Sequence, residues 1–244
     1  MLNSIESWFE YMQDDREDLW QLTIEHALLV IQATGAAVVV AVLLGIVVQN
    51  RPTARNIALS ITSVFLTLPS LALFTLFIPL LGIGRRPVLV ALFMYALLPV
   101  LRNTVTGLDS VDPAVEESAK GMGMNPMRRL FQVKLPLAWP VIIAGIRVAT
   151  LLTTGIAAIG TLVSGGGLGD AIKDGFNRLG LPNSYEPLWA GTVLVVVLAL
   201  VFDLLLALTR KVLSPGVIAT VAEAPDRLLA RRHRQQSDQE PSNA

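Results

Sequence analysis

Two charged residues lie deep inside apolar stretches of this sequence, and they are the residues most in need of a chemical explanation. Arg147 and Asp203 are each flanked by long runs of apolar side chains. Ions in an apolar medium are costly and are usually paired, so we predict an ion pair between two helices. The alternative is that Arg147 extends its side chain to an interface while Asp203 accepts hydrogen bonds from a neighbouring chain.

The residue types that most often catalyse reactions or bind metals are scarce. There is no cysteine, and the two histidines, His26 and His233, stand at opposite ends of the chain. The glycine-rich run 165–169 lacks the lysine and hydroxyl that complete a phosphate-binding loop. We therefore expect no catalytic residue, no metal and no cofactor bound by this chain. A membrane-embedded enzyme would need convergent groups that the sequence does not offer.

The elements that position these residues are long apolar segments. Of the 244 residues, 53% are apolar and 16% are charged. Crossing a hydrocarbon core takes about 20 apolar residues in a helix. Continuous runs of that length predict an all-α membrane protein with five transmembrane helices. The predicted spans are 22–48, 56–81, 87–107, 139–163 and 188–208.

Charge bias in the loops predicts the orientation. With the N-terminus outside, thirteen of the nineteen Lys and Arg residues lie on the cytoplasmic side and five lie outside. The pair Arg85 and Arg86 is an exception to this bias. We expect an extracytoplasmic segment 1–21, which is too acidic for a cleaved signal, a transmembrane domain 22–213 and a mobile cytoplasmic tail 214–244.

Prolines and glycines inside the spans predict local irregularities. Pro69 is expected to break the second span and Pro99 to interrupt the third, either as a kink or to expose carbonyls along a polar path. Gly145, Gly155 and Gly160 predict close helix contacts in the fourth span. The run 164–169 is a candidate hinge at the outer mouth.

The loop 108–136, between the third and fourth spans, has its own helix signals. Asp112 with Pro113, and Asn125 with Pro126, are each typical of a helix N-terminus. We expect the first helix to end at a glycine and the second to end at Pro136, which gives a cytoplasmic helix-turn-helix. Packing, DNA binding and docking to a protein are its alternative roles. DNA binding is disfavoured because the element is anchored at the bilayer.

The spacing within this loop resembles the cytoplasmic signature of permeases from binding-protein-dependent ABC importers, E-A-A, three residues, G, nine residues, I, one residue, L-P. Ser replaces the first Ala and Val replaces Ile, while every spacing fits. The resemblance implies a type I ABC importer fold and an ATPase-coupling helix, with Gly123 in the tight turn. The implied coupling residues are Glu116, Glu117, Ser118, Ala119, Gly123, Val133, Leu135 and Pro136.

Longer segments resemble permeases for osmoprotectants such as glycine betaine, carnitine and choline. They are LTLPSLALFTLFIPLLGIG at 66–84, ALLPVLRNTVTGL at 96–108, KGMGM at 120–124, AGIR at 144–147 and GGGLG at 165–169. Methionine importers share the five-span plan, so a permease for another small solute such as methionine is the alternative. A self-sufficient channel or secondary transporter is expected to show internal repeats, which this sequence lacks.

The resemblance also implies the partners. ATP and Mg²⁺ would be used by a separate cytoplasmic ATPase, and an extracytoplasmic solute-binding protein would select the solute. A second permease copy or a sister permease would complete the pathway in the bacterial inner membrane. Nucleic acid is not an expected partner. Aromatic residues are only 6% of the chain and are scattered, so we assign no substrate-binding residues.

Overall fold

The computed structural model describes residues 2–181 and 184–213, and the predicted tail 214–244 lies outside them. The described residues form helices and connecting loops, without a strand. They include a π-helical segment, Leu130–Lys134, and a 3₁₀ segment, Ala158–Val163. The α-helices are α1 Leu2–Asp14, α2 Arg16–Val48, α3 Pro52–Thr67, α4 Ser70–Leu81, α5 Arg85–Asp109, α6 Pro113–Gly121, α7 Pro126–Arg129, α8 Leu135–Ala157, α9 Gly169–Asn177 and α10 Tyr185–Leu213.

The expected all-α architecture is confirmed, with four or five candidate spans. By length and composition, α2, α5, α10 and the helical stretch Pro126–Val163 can each cross a membrane, and α3 with α4 supplies a fifth crossing if the pair is one span. Helix α2 begins at Arg16, earlier than its apolar run. Glu17 and Asp18 lie in its first turn, where carboxylates stabilise the positive end of the helix dipole.

Helix α5 is the centre of the bundle and packs most extensively against α2 and α8. Small side chains let these helices approach closely. A Cβ atom built on Gly145 of α8 would lie 2.5 Å from Asn103 Cβ and 2.7 Å from the Pro99 carbonyl oxygen of α5. Gly160 is similarly close to Val88, whereas Gly155 has no atom within 4 Å of such a Cβ. The predicted close contact is therefore present at Gly145 and Gly160 and absent at Gly155.

This difference gives a matched pair of variants. Gly145→Ala should destabilise the purified permease by about 1–3 kcal/mol, because the α5 backbone cannot yield as a side chain can. Gly155→Ala is the control, with the same change in the same helix but open space around it. Thermal unfolding in detergent measures both, and equal melting temperatures for the two variants would contradict this packing.

The second span is two helices bent by 100° at Leu68 and Pro69. Pro69 was predicted to break it, since proline has no N–H for the helix ladder. A residue distant in sequence contacts the break. The Tyr95 hydroxyl of α5 donates a hydrogen bond to the Leu68 carbonyl at 2.7 Å, which satisfies one backbone oxygen at the break.

The expectation that Pro99 interrupts the third span is wrong for a break in the helix, and a kink at Pro99 stays a prediction. Helix α5 continues from Arg85 to Asp109 with Pro99 inside it. Neighbouring helices cover this region, and Leu98 and Val100 on either side of the proline are buried. Tertiary packing holds the helix where local sequence disfavours it.

A glycine-rich loop follows the 3₁₀ segment and packs on α2. Ser164, Gly166 and Gly167 have positive φ angles of 60°, 79° and 83°. Gly167 lies against His26, and a Cβ there would be 3.1 Å from the imidazole Nδ1. His26 is buried, and its Nε2 donates to the Thr154 carbonyl at 3.0 Å. The loop, α2 and α8 are thus joined at one buried histidine.

Candidate functional site

The loop between α5 and α8 forms a compact helix-turn-helix, which begins at a capped α6. The Asp112 carboxylate accepts a hydrogen bond from the Ala114 backbone N–H at 2.8 Å, and Pro113 occupies the first turn. Glu116 in the first turn and Lys120 in the last turn both complement the helix dipole. These local signals explain why α6 forms where the sequence predicts it.

Gly123 closes α6. Its N–H donates to the Lys120 carbonyl at 3.0 Å, and the Met124 N–H donates to the Ala119 carbonyl at 3.2 Å. This pair of bonds is a Schellman motif, which requires a left-handed residue just past the helix end. Gly123 supplies it with φ 80°. Open space surrounds the position, so backbone conformation alone selects glycine here.

The second helix of the site is held by a cap and an ion pair. Asn125 Oδ1 accepts a hydrogen bond from the Arg128 backbone N–H at 2.8 Å, which starts α7. Further along, Lys134 Nζ lies 3.3 Å from Glu116 Oε2 on α6. This pair ties the two helices together across the turn. Glu116 therefore has a structural role in the loop.

The prediction that Pro136 ends the second helix is wrong. The chain stays helical from α7 through the π segment Leu130–Lys134 into α8, and Pro136 lies in the first turn of α8. In the π segment the Leu135 N–H donates to the Leu130 carbonyl, five residues back. This change of hydrogen-bond register accommodates a proline, which has no N–H to offer.

The site exposes apolar side chains on an otherwise polar loop. Met122 is 71% exposed, Met127 65% and Phe131 53%. Phe131 also borders a hollow of about 230 Å³ with Leu135, Pro136 and Trp139. Exposed methionine and aromatic side chains are typical of protein docking surfaces. The spacing motif does not include these three residues, and their apolar character in a polar loop was the signal that could have found them.

The structure groups the residues of the signature in one element with different exposures. Ala119 is the buried residue of α6, and Val133 and Leu135 are half-buried at the start of the fourth span. On the solvent side Glu117 pairs with no charged group among the residues that the structure describes. The exposed members are Glu117, Ser118, Gly123 and Pro136.

Arg147 and Asp203 lie far from this loop, within the membrane-spanning helices. The Arg147 guanidinium contacts both Asp203 carboxylate oxygens, through Nε and one terminal nitrogen, and so joins α8 to α10. The pair lies at the edge of the bundle, where 44% of the Arg147 side chain remains exposed. Bidentate contact fixes the geometry of both partners. No cluster of three metal-binding side chains occurs among residues 2–181 and 184–213.

The long apolar helices define a membrane protein, and comparison with known proteins gives its family. Residues 37–213 match the family described as "Binding-protein-dependent transport system inner membrane component". The chain belongs to this family of ABC importer permeases.

Relatives with known roles span almost the whole chain. It is 40% identical over 216 residues to the choline transport system permease protein OpuBB of Bacillus subtilis, covering 88% of this chain and 97% of that protein. It is 38% identical to the glycine betaine/carnitine/choline permease protein OpuCB of the same organism, covering 84% and 93%. The osmoprotectant import permease protein OsmW of Salmonella typhimurium is 39% identical, with 84% and 96% covered.

Solved structures support the fold. The inward-facing MetNI methionine ABC transporter superposes with a TM-score of 0.70 at 21% identity, covering 80% of this chain and 96% of that chain. An amino acid ABC transporter solved with histidines gives a TM-score of 0.59 at 20% identity, with 81% and 96% covered. The expected type I ABC importer fold is thereby confirmed.

Proposed function

We propose that this chain is the permease subunit of an importer for small osmoprotectants of the quaternary ammonium type, such as glycine betaine, carnitine and choline. Identities of 38–40% with three permeases named for such solutes, over at least 84% of the chain, carry this assignment. Similarity to the methionine transporter is lower and concerns the fold. A methionine importer is therefore the second candidate.

The helix-turn-helix of α6 and α7 is the proposed docking site for a cytoplasmic ATPase. Its support is the combination of a rigid frame and an exposed apolar surface. The Schellman turn at Gly123 and the Glu116–Lys134 pair fix the frame. Met122, Met127 and Phe131 supply apolar area that a groove on a partner would bury.

The remaining parts of the complex follow from this assignment. The ATPase hydrolyses ATP with Mg²⁺, and this chain contributes no catalytic residue. A solute-binding protein delivers the solute on the opposite face, and a second permease, identical or related, completes the pathway across a two-fold axis. The docking loop then faces the cytoplasm, with the N-terminus outside and the C-terminus inside, as the charge bias of the loops favours. ATP-driven closure of the ATPases would alternate access to the pathway.

Uptake measurements test the solute class. Cells with and without the gene, grown at raised osmolarity, are given labelled glycine betaine, choline, carnitine or methionine in parallel. We expect loss of one or more of the quaternary ammonium solutes and unchanged methionine uptake. Loss of methionine uptake alone would transfer the assignment to the second candidate, and unchanged uptake of all four would remove both.

A further inference from the structure

The surface of α3 that other helices leave uncovered divides into two stripes of different chemistry. One is apolar, and its members Ile57, Ile61 and Val64 are each more than half exposed. The other is polar and exposed or half-exposed. Alternating steps of three and four residues keep each set on one face of the helix. The polar stripe consists of Thr53, Asn56, Ser60, Ser63 and Thr67.

Only the apolar stripe is suited to contact with the hydrocarbon chains of lipid. Asn56 is exposed, and its amide makes no hydrogen bond with the part of the chain that the structure describes, so it needs water or another polar partner. Two of the four hydroxyl groups in the polar stripe donate their protons within the helix. Ser63 donates to the Ser60 carbonyl and Thr67 donates to the Val64 carbonyl, each at 2.7 Å. Their oxygen atoms can still accept hydrogen bonds from water or from a solute outside the helix.

The break after α3 is independent support for water at this surface. Leu68 and Pro69 are outside any helix, and both are exposed. They follow a helix of 16 residues, which is about 24 Å long, so the break lies at membrane depth. Non-helical backbone at that depth is tolerated where it is buried in protein or lines a water-filled cavity. The described part of this chain does not bury Leu68 or Pro69, so we take the second condition to apply along the pathway that two permeases would enclose.

We infer that the polar stripe of α3 lines the solute pathway, and that the adjacent apolar stripe faces lipid. This inference rests on the proposed function for the existence of a pathway and adds its chemistry. The lining carries no formal charge at Ser60, Ser63 or Thr67, and its hydroxyls present acceptor oxygens. Such a surface suits a small cation or zwitterion whose positive end contacts oxygen atoms, and it holds that solute weakly enough to release it.

The absence of native cysteine allows a direct test. Single variants Ser60→Cys, Ser63→Cys and Thr67→Cys probe the polar stripe, and Ile57→Cys, Ile61→Cys and Val64→Cys are matched controls on the same helix. Each is assembled with its ATPase and binding protein and allowed to turn over. A cationic, membrane-impermeant methanethiosulfonate is added, and the intact mass of the permease reports labelling over time.

We expect the polar-stripe thiols to react roughly tenfold faster than the controls, because the reactive thiolate forms in water and not in hydrocarbon. Glycine betaine with its binding protein should slow this labelling, and unchanged rates would overturn the proposed solute class. Equally slow labelling of both sets would overturn the pathway assignment. These rates do not depend on the uptake measurement, so the two proposals fail separately.

Discussion

We expect Gly123→Val to abolish uptake while the protein still reaches the membrane in normal amounts. A non-glycine residue at this left-handed position costs about 1–2 kcal/mol, and a β-branched one is least tolerated. The strain falls on the Schellman turn, so the two helices of the docking loop should lose their mutual orientation. The turn lies outside the candidate membrane-spanning helices, so we expect those helices to form in the variant. Radiolabelled uptake and co-purification of the ATPase measure the loss.

Two variants isolate the cause. Gly121→Val introduces the same side chain two residues earlier, where the backbone is helical and a Cβ also meets nothing within 4 Å. It should transport nearly normally. Gly123→Asn should keep much of the activity, because asparagine adopts the left-handed conformation more readily. If Gly121→Val were as defective as Gly123→Val, bulk at the surface would be responsible and the backbone argument would be wrong.

The second large effect is expected at the intramembrane ion pair. Asp203→Ala should sharply reduce both membrane abundance and uptake, because it leaves the Arg147 guanidinium unpaired among apolar helices. The double variant Arg147→Met with Asp203→Leu should recover abundance, since it removes both charges together. Quantitative immunoblotting of membranes and melting temperature in detergent separate stability from transport.

The control for this prediction is another aspartate paired with an arginine. Asp174 and Arg178 form an exposed pair at the C-terminal end of α9. Exposed pairs contribute about 0–1 kcal/mol, so Asp174→Ala should leave abundance unchanged. Wild-type behaviour of Asp203→Ala, or failure of the double variant to recover, would show that the membrane-embedded pair does not stabilise this protein in the way its geometry indicates.

Local signals in the sequence were sufficient for much of this architecture. Apolar runs of membrane length placed the five spans, because every backbone group in lipid must be bonded within its own helix. Asp112 and Asn125 placed the starts of α6 and α7, since both caps act within three residues. Interactions this short in sequence can be read without a structure.

What the sequence did not reveal depends on contacts between distant segments. Pro69 and Pro99 are the same residue type in similar apolar surroundings, yet one breaks its helix and the other does not. The two prolines differ in their neighbours: Tyr95 contacts the backbone at the break beside Pro69, and packed helices enclose the continuous helix around Pro99. Gly145 and Gly155 likewise differ only in what faces them. None of these partners is encoded in the local spacing.

The helical stretch Pro126–Val163 contains 38 residues and is continuous through its π segment. At about 1.5 Å per residue it is a rod roughly 55 Å long, which joins the docking loop to the glycine-rich loop beside His26. If the stretch moved as a rigid body, a tilt of its axis by one degree at Phe131 would displace the opposite end by about 1 Å. If the loop docks on an ATPase as proposed, a movement at the loop would be carried along one continuous piece of helical backbone to the other side of the membrane.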